Sequence, residues 1–144
     1  MRFSQSSSPS TRDVDPEQPP AVLLVEDEPT LSRVLERILA EEGYEVTVCG
    51  DGLDALALVT CGATKIDVVV SDVGLPGLRG DKLAVELRRI KPALPVVLMT
   101  GFSAVVAPGR EETLGVAAVL EKPVTIEALL AAVRDALRLG VARA

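Results

Sequence analysis

Glu26, Asp27 and Glu28 follow one another directly after the apolar run AVLLV (21–25), and Asp72 closes a second run, IDVVVSD. Thr100 ends a third, PVVLMT, and Glu121-Lys122-Pro123 ends a fourth, VAAVLEKP. Carboxylates that share a site raise one another's pKa and oppose folding unless something positive sits among them. One or two carboxylates plus waters is the usual way to hold Mg²⁺, so Glu26, Asp27 and Asp72 form a candidate magnesium site. An ammonium and a hydroxyl facing it, Lys122 and Thr100, would bind a small anion with several oxygens, such as a phosphoryl group. Asp72 is then the natural nucleophile, because a carboxylate can carry a phosphoryl group as an aspartyl phosphate.

Each residue also has a plainer use. An acid at a strand end is commonly a helix cap, and Glu28 before Pro29 suits that role, favoured by the positive end of a helix dipole. Thr100 alone is a satisfied hydroxyl, and Lys122 alone a solvated charge. Their joint placement at successive strand ends is what points to chemistry.

The elements that must bring them together are legible in the pattern. AVLLV (21–25), EVTVC (45–49), IDVVVS (66–71), PVVLMT (95–100) and VAAVLE (116–121) are expected strands, and the middle ones are apolar on both faces, as in a parallel sheet covered on both sides. Pro29 opens a helix with Leu31, Val34, Leu35, Ile38 and Leu39 on one face, which Gly43 ends. Residues 50–59 and 81–90 supply two more helices, the latter with Leu83, Leu87 and Ile90 on one face. Thr125 caps a last one carrying Ile126, Leu129, Leu130, Val133 and Leu137. A fourth helix between them, within 103–115, is expected to be short or broken by Pro108 and Gly109. Strand–helix repeats of this kind imply right-handed crossovers and a doubly wound five-stranded parallel α/β sheet, whose ligands sit at the carboxyl ends of the strands.

Composition narrows the chemistry. In 144 residues there is no histidine, which removes Ser-His-Asp and Cys-His catalysis and, with only Cys49 and Cys61, the usual zinc sites. The cysteines are expected to be reduced packing residues in a cytoplasmic protein. Aromatic residues are 2% and the net charge is −6, which disfavours base stacking and direct nucleic-acid binding. No apolar stretch is long enough for a membrane span, and no secretory leader is evident. Residues 1–20, rich in Ser and Pro, are expected to be a disordered tail or linker, residues 21–140 the domain, and 141–144 a short tail.

In this order and on these elements, the motifs resemble the response-regulator receiver domain of two-component signalling. They are Glu26-Asp27, Asp72, the DVGLPG loop with Pro76 and Gly77, Thr100, and EKP with Lys122 and Pro123; the likeness spans about residues 21–139. It implies a flavodoxin-like strand order 2-1-3-4-5. It further implies Mg²⁺ bound by Asp27, Asp72 and the backbone carbonyl of Gly74, with Glu26 acting through water. Asp72 would be the phospho-acceptor, supplied by a sensor histidine kinase, a phosphotransfer protein or a small phosphodonor. Lys122 would pair with the phosphoryl oxygens, and Thr100 would swing toward them. That swing would bias the face made by the fourth helix, fifth strand and fifth helix, toward an unnamed downstream protein or a weak homodimer. The Lys122–Pro123 bond is expected to be cis. Where many receivers carry a switching aromatic, three residues before the lysine, this chain has Val119. Gly101, Phe102 and the LGVAAVLEKP run are more similar to receivers associated with hybrid sensor kinases. With Ala144 the last residue of the sequence, no output module is expected, and the expectation is a stand-alone or excised receiver that modifies only itself and is otherwise not an enzyme.

Two other readings stay open. A degenerate receiver would act as a docking module alone and would not respond to Mg²⁺. An aspartyl phosphatase would use Asp27 as nucleophile, whereas a flavin carrier is opposed by the repulsion between EDEP and a flavin phosphate.

Overall fold

The computed structural model describes residues 18–101 and 115–143. Five parallel strands, β1 (Ala21–Val25), β2 (Glu45–Cys49), β3 (Val68–Asp72), β4 (Val96–Thr100) and β5 (Ala118–Glu121), lie in the order β2-β1-β3-β4-β5. This is the expected doubly wound architecture. Val and Leu dominate the strands because the three central ones are covered on both faces, and β1, β3 and β4 are buried along their whole length.

Alternate residues of each strand feed two separate cores, as the period of two requires. Leu23, Val25, Val69, Val96 and Leu98 pack with helices α2 (Gly52–Cys61) and α3 (Gly80–Ile90). Val22, Leu24, Val68, Val70, Val97 and Met99 pack on the other face with α1 (Pro29–Glu41) and a C-terminal helix, Ile126–Arg143. The helix stripes are narrower than their sequence suggests. Val34, Ile90 and Ile126 are exposed at the margins, while Leu35, Leu39, Leu83, Leu87, Leu129 and Val133 carry the burial.

The element ends follow local chemistry. The Glu28 side chain accepts from the Leu31 N–H at 2.7 Å and Pro29 fills the first turn, so Glu28 is a cap. Gly43 takes a positive φ just after α1 ends, where an L side chain would be strained. The Thr125 hydroxyl accepts from the Ala128 N–H at 3.0 Å and starts the C-terminal helix. That helix runs to Arg143, beyond the expected domain end at 140.

Three strands start later than their sequence suggests, and for β4 the shift is a single residue, from Pro95 to Val96. β3 begins at Val68 rather than Ile66, because the Asp67 carboxylate turns back to accept the Ala21 N–H at 2.7 Å. β5 begins at Ala118 rather than Val116. Cys49 packs against the α2–α3 core as expected, but Cys61 is exposed at the end of α2 and is not a packing residue. The expected fourth helix, Phe102 and most of the N-terminal tail lie outside the described residues. No helix among the described residues is long and apolar enough to cross a membrane.

Candidate functional site

Strand register builds the site. Val25 of β1 lies beside Ser71 of β3, so the next residues, Glu26 and Asp72, leave adjacent strands side by side. Asp72 pairs with Met99 of β4, and Thr100 pairs with Glu121 of β5. The Lys122 N–H then donates to the Thr100 carbonyl at 2.9 Å. Residues from four segments therefore meet at the carboxyl edge of the sheet, where a doubly wound fold holds its ligands.

Glu26, Asp27 and Asp72 each offer a carboxylate oxygen, and these oxygens all lie within 4.8 Å of one another. Glu26 is 2% exposed and Asp72 8% exposed, whereas Asp27 is open to solvent. Hard oxygen donors from two buried acids and one exposed acid suit Mg²⁺, which keeps several waters and takes few protein ligands. The exposed side, at Asp27, is where waters and an incoming anion have room.

Lys122 supplies the positive charge that the acids need. Its ammonium donates to Glu26 Oε1 at 3.0 Å and lies 3.2 Å from Asp72 Oδ1. Burial pushes the Glu26 pKa up, the Lys122 hydrogen bond and the Glu28 N–H (3.2 Å from Oε2) pull it down, and the charge of Asp72 adds to the rise; the net direction is upward. Burial works against the Lys122 charge, yet its bond to Glu26 and the charges of Asp72 and Glu26 prevail and raise its pKa. The ammonium stays protonated, close to the Asp72 carboxylate.

Thr100 is 6% exposed, and its hydroxyl donates to the Gly101 carbonyl at 3.3 Å. Gly74 stands two residues beyond Asp72 in the loop to α3, exposed to solvent. Val119 is half-buried, beside Leu98 of β4, and packs against the α2–α3 core. The Lys122–Pro123 bond is cis.

The structure thus brings together Glu26, Asp27, Asp72 and Lys122, with Thr100 at the neighbouring strand end. Sequence reasoning did not anticipate that Glu26 is the tightest partner of Lys122. The sequence shows only that Glu26 follows the apolar run AVLLV without a break; in the structure its N–H extends the β1–β2 ladder to the Cys49 carbonyl at 2.9 Å. An acid so placed must be buried and must find a cation.

Residues 22–134 match the model of the response regulator receiver domain family. The transcriptional regulatory protein GlrR of Escherichia coli is 32% identical over 120 residues, covering 83% of this chain and 27% of that protein. The transcriptional regulatory protein TcrA of Mycobacterium tuberculosis is 38% identical over 119 residues, 83% of this chain and 46% of its own length. The sensor histidine kinase RcsC of Salmonella typhi is 36% identical over 108 residues, 75% of this chain and 11% of that protein. The chain therefore spans less than half the length of these curated relatives. Among solved structures, a response regulator receiver domain from Clostridium thermocellum superposes with a TM-score of 0.71 at 27% identity, over 83% of this chain and 94% of that one. A CheY-like receiver domain from Methanospirillum hungatei gives 0.77 at 22% identity over 88% of this chain and all of the other, a likeness of fold.

Proposed function

The chain belongs to the response regulator receiver domain family, and on that footing we propose that Asp72 accepts a phosphoryl group from a phosphohistidine on a partner kinase or phosphotransfer protein. The observation that carries this reading is the convergence of the Glu26 and Asp27 carboxylates and the Lys122 ammonium on Asp72.

The ionised Asp72 carboxylate donates an electron pair to phosphorus. The phosphorus–nitrogen bond to the imidazole breaks, the ring keeps those electrons, and an acyl phosphate forms. Asp27 and Asp72, with the Gly74 carbonyl, would hold Mg²⁺ directly, and Glu26 would act through water. When bound, that ion supplies charge neutralisation for two approaching anions. Lys122 moves from sharing Asp72 to pairing with a phosphoryl oxygen, while Glu26 keeps it within reach. The Thr100 hydroxyl turns from the Gly101 carbonyl toward the phosphoryl group, drawing its loop with it.

Val119 replaces a rotating aromatic, so the readout rests on Thr100 and its loop. We assign the output to protein–protein contact in the cytoplasm, with the face around β5 and the C-terminal helix as the responding surface. The acidic chain is unsuited to direct nucleic-acid binding.

Incubation with Mg²⁺ and acetyl phosphate should add the mass of one phosphoryl group to the intact chain, and Asp72→Asn should abolish the gain. An unmodified wild-type chain contradicts the proposal.

A further inference from the structure

The loop from Val73 to Arg79 follows the phospho-acceptor and carries Gly74, and it is held from both sides by backbone packed against glycine. On the α3 side, the Gly80 N–H donates to the Val73 carbonyl at 2.7 Å, and a Cβ on Gly80 would collide with the Asp72 carbonyl oxygen. On the α2 side, the Gly52 N–H donates to the Pro76 carbonyl at 3.1 Å, and a Cβ on Gly52 would overlap the Leu78 carbonyl oxygen. The Asp51 side chain caps α2 by accepting the Leu53 N–H at 2.7 Å and the Asp54 N–H at 3.2 Å. The same carboxylate lies where a Cβ on Gly77 would sit, and Gly77 has a positive φ of 77°.

The first turn of α2 offers no group to the acidic cluster, yet it is built against the loop that does. Packing this tight leaves no slack: moving Gly52 by the width of a methyl group moves Pro76 and Leu78, and with them the segment between Asp72 and Gly77. Buried Leu75 pins the middle of that segment to the α2–α3 core.

We propose that Gly52 is a positioning residue for the phosphorylation site: its lack of a side chain lets α2 clamp the β3–α3 loop and so sets the Gly74 carbonyl for the cation. This rests on the reading of the site given above. The clamp makes α2 a part of the site although it supplies no ligand.

The test is Mg²⁺ titration of the unphosphorylated full chain, followed by amide NMR. Gly52→Ala is expected to raise the Mg²⁺ midpoint on the order of tenfold to a hundredfold, as the loss of a supporting shell does at metal sites. Leu39→Ala opens a cavity under α1 on the opposite face, and is expected to lower the melting temperature while keeping the native midpoint. A native midpoint in Gly52→Ala, or the same loss in both variants, overturns the clamp. Gly77→Ala presses on the contact from the loop side and is expected to behave like Gly52→Ala; it decides the matter if Gly52→Ala does not fold. A wild-type chain without any Mg²⁺ response overturns the reading of the site itself, whereas a responsive wild type beside an unaffected Gly52→Ala overturns the clamp alone.

Discussion

The Lys122 ammonium donates to Glu26 Oε1 at 3.0 Å, joining residues 96 apart in the chain across the carboxyl edge of the sheet. Glu26 has almost no contact with water, so this bond offsets much of the cost of burying its charge. The same ammonium reaches Asp72 Oδ1, and one cation therefore restrains two acids.

Removing Lys122 leaves Glu26 buried, with the Glu28 N–H as the one remaining donor to its carboxylate among the described residues. Lys122→Met is expected to lower stability by about 2 kcal/mol at neutral pH, the scale of a hydrogen bond to a charged group. Urea unfolding of the two proteins measures the difference.

The pH dependence has a definite sign. The folded-state pKa of Glu26 is raised above its ordinary 4.5, so the native state binds the proton more tightly than the unfolded chain. Stability from this group is greatest in acid and declines as pH rises from about 4.5 through the higher folded value. Lys122→Met removes the bond that pulls this pKa down, so its deficit should be smaller in acid than at neutral pH. A deficit that is constant across unfolding curves in that range contradicts the assignment.

Added Mg²⁺ should stabilise the native state, because an ion bound there alone shifts unfolding by about 1.4 kcal/mol at ten times its dissociation constant. Thermal melts with and without Mg²⁺ measure this. Asp27→Ala and Asp72→Asn should each abolish most of the gain, and removal of the ion with EDTA should reverse it.

Backbone contact makes two glycines unequal. Gly80→Ala forces a methyl group into the Asp72 carbonyl and should cost about 3 kcal/mol or prevent folding. Gly43→Ala meets open space and carries only the strain of a positive φ, about 1 kcal/mol. Denaturant midpoints of the two variants should separate accordingly.

Much of this was legible in the chain because parallel sheets write themselves in apolar, β-branched runs. VVVSD and VVLMT could hardly be anything else, and acids directly after such runs mark the ligand edge. The ends were less legible: Ile66 and Asp67 look like strand, but Asp67 spends its carboxylate on the Ala21 N–H. Side-chain partners were the least legible. That Lys122 belongs first to Glu26 depends on a register linking β1, β3, β4 and β5, and that Gly52 touches Leu78 depends on how α2 meets a loop more than twenty residues away in sequence. Neither leaves a periodic trace. Val34 and Ile90 show the opposite error, since their spacing fits a buried stripe while the neighbouring surface is open.

The most direct measurement is chemical mapping of the modified residue after exposure to acetyl phosphate and Mg²⁺. Borohydride reduces an acyl phosphate to the alcohol, and peptide mass spectrometry then reads its position. The account predicts the reduced side chain at residue 72 alone, dependent on Mg²⁺; reduction at residue 26 or 27 instead, or at no residue, contradicts it.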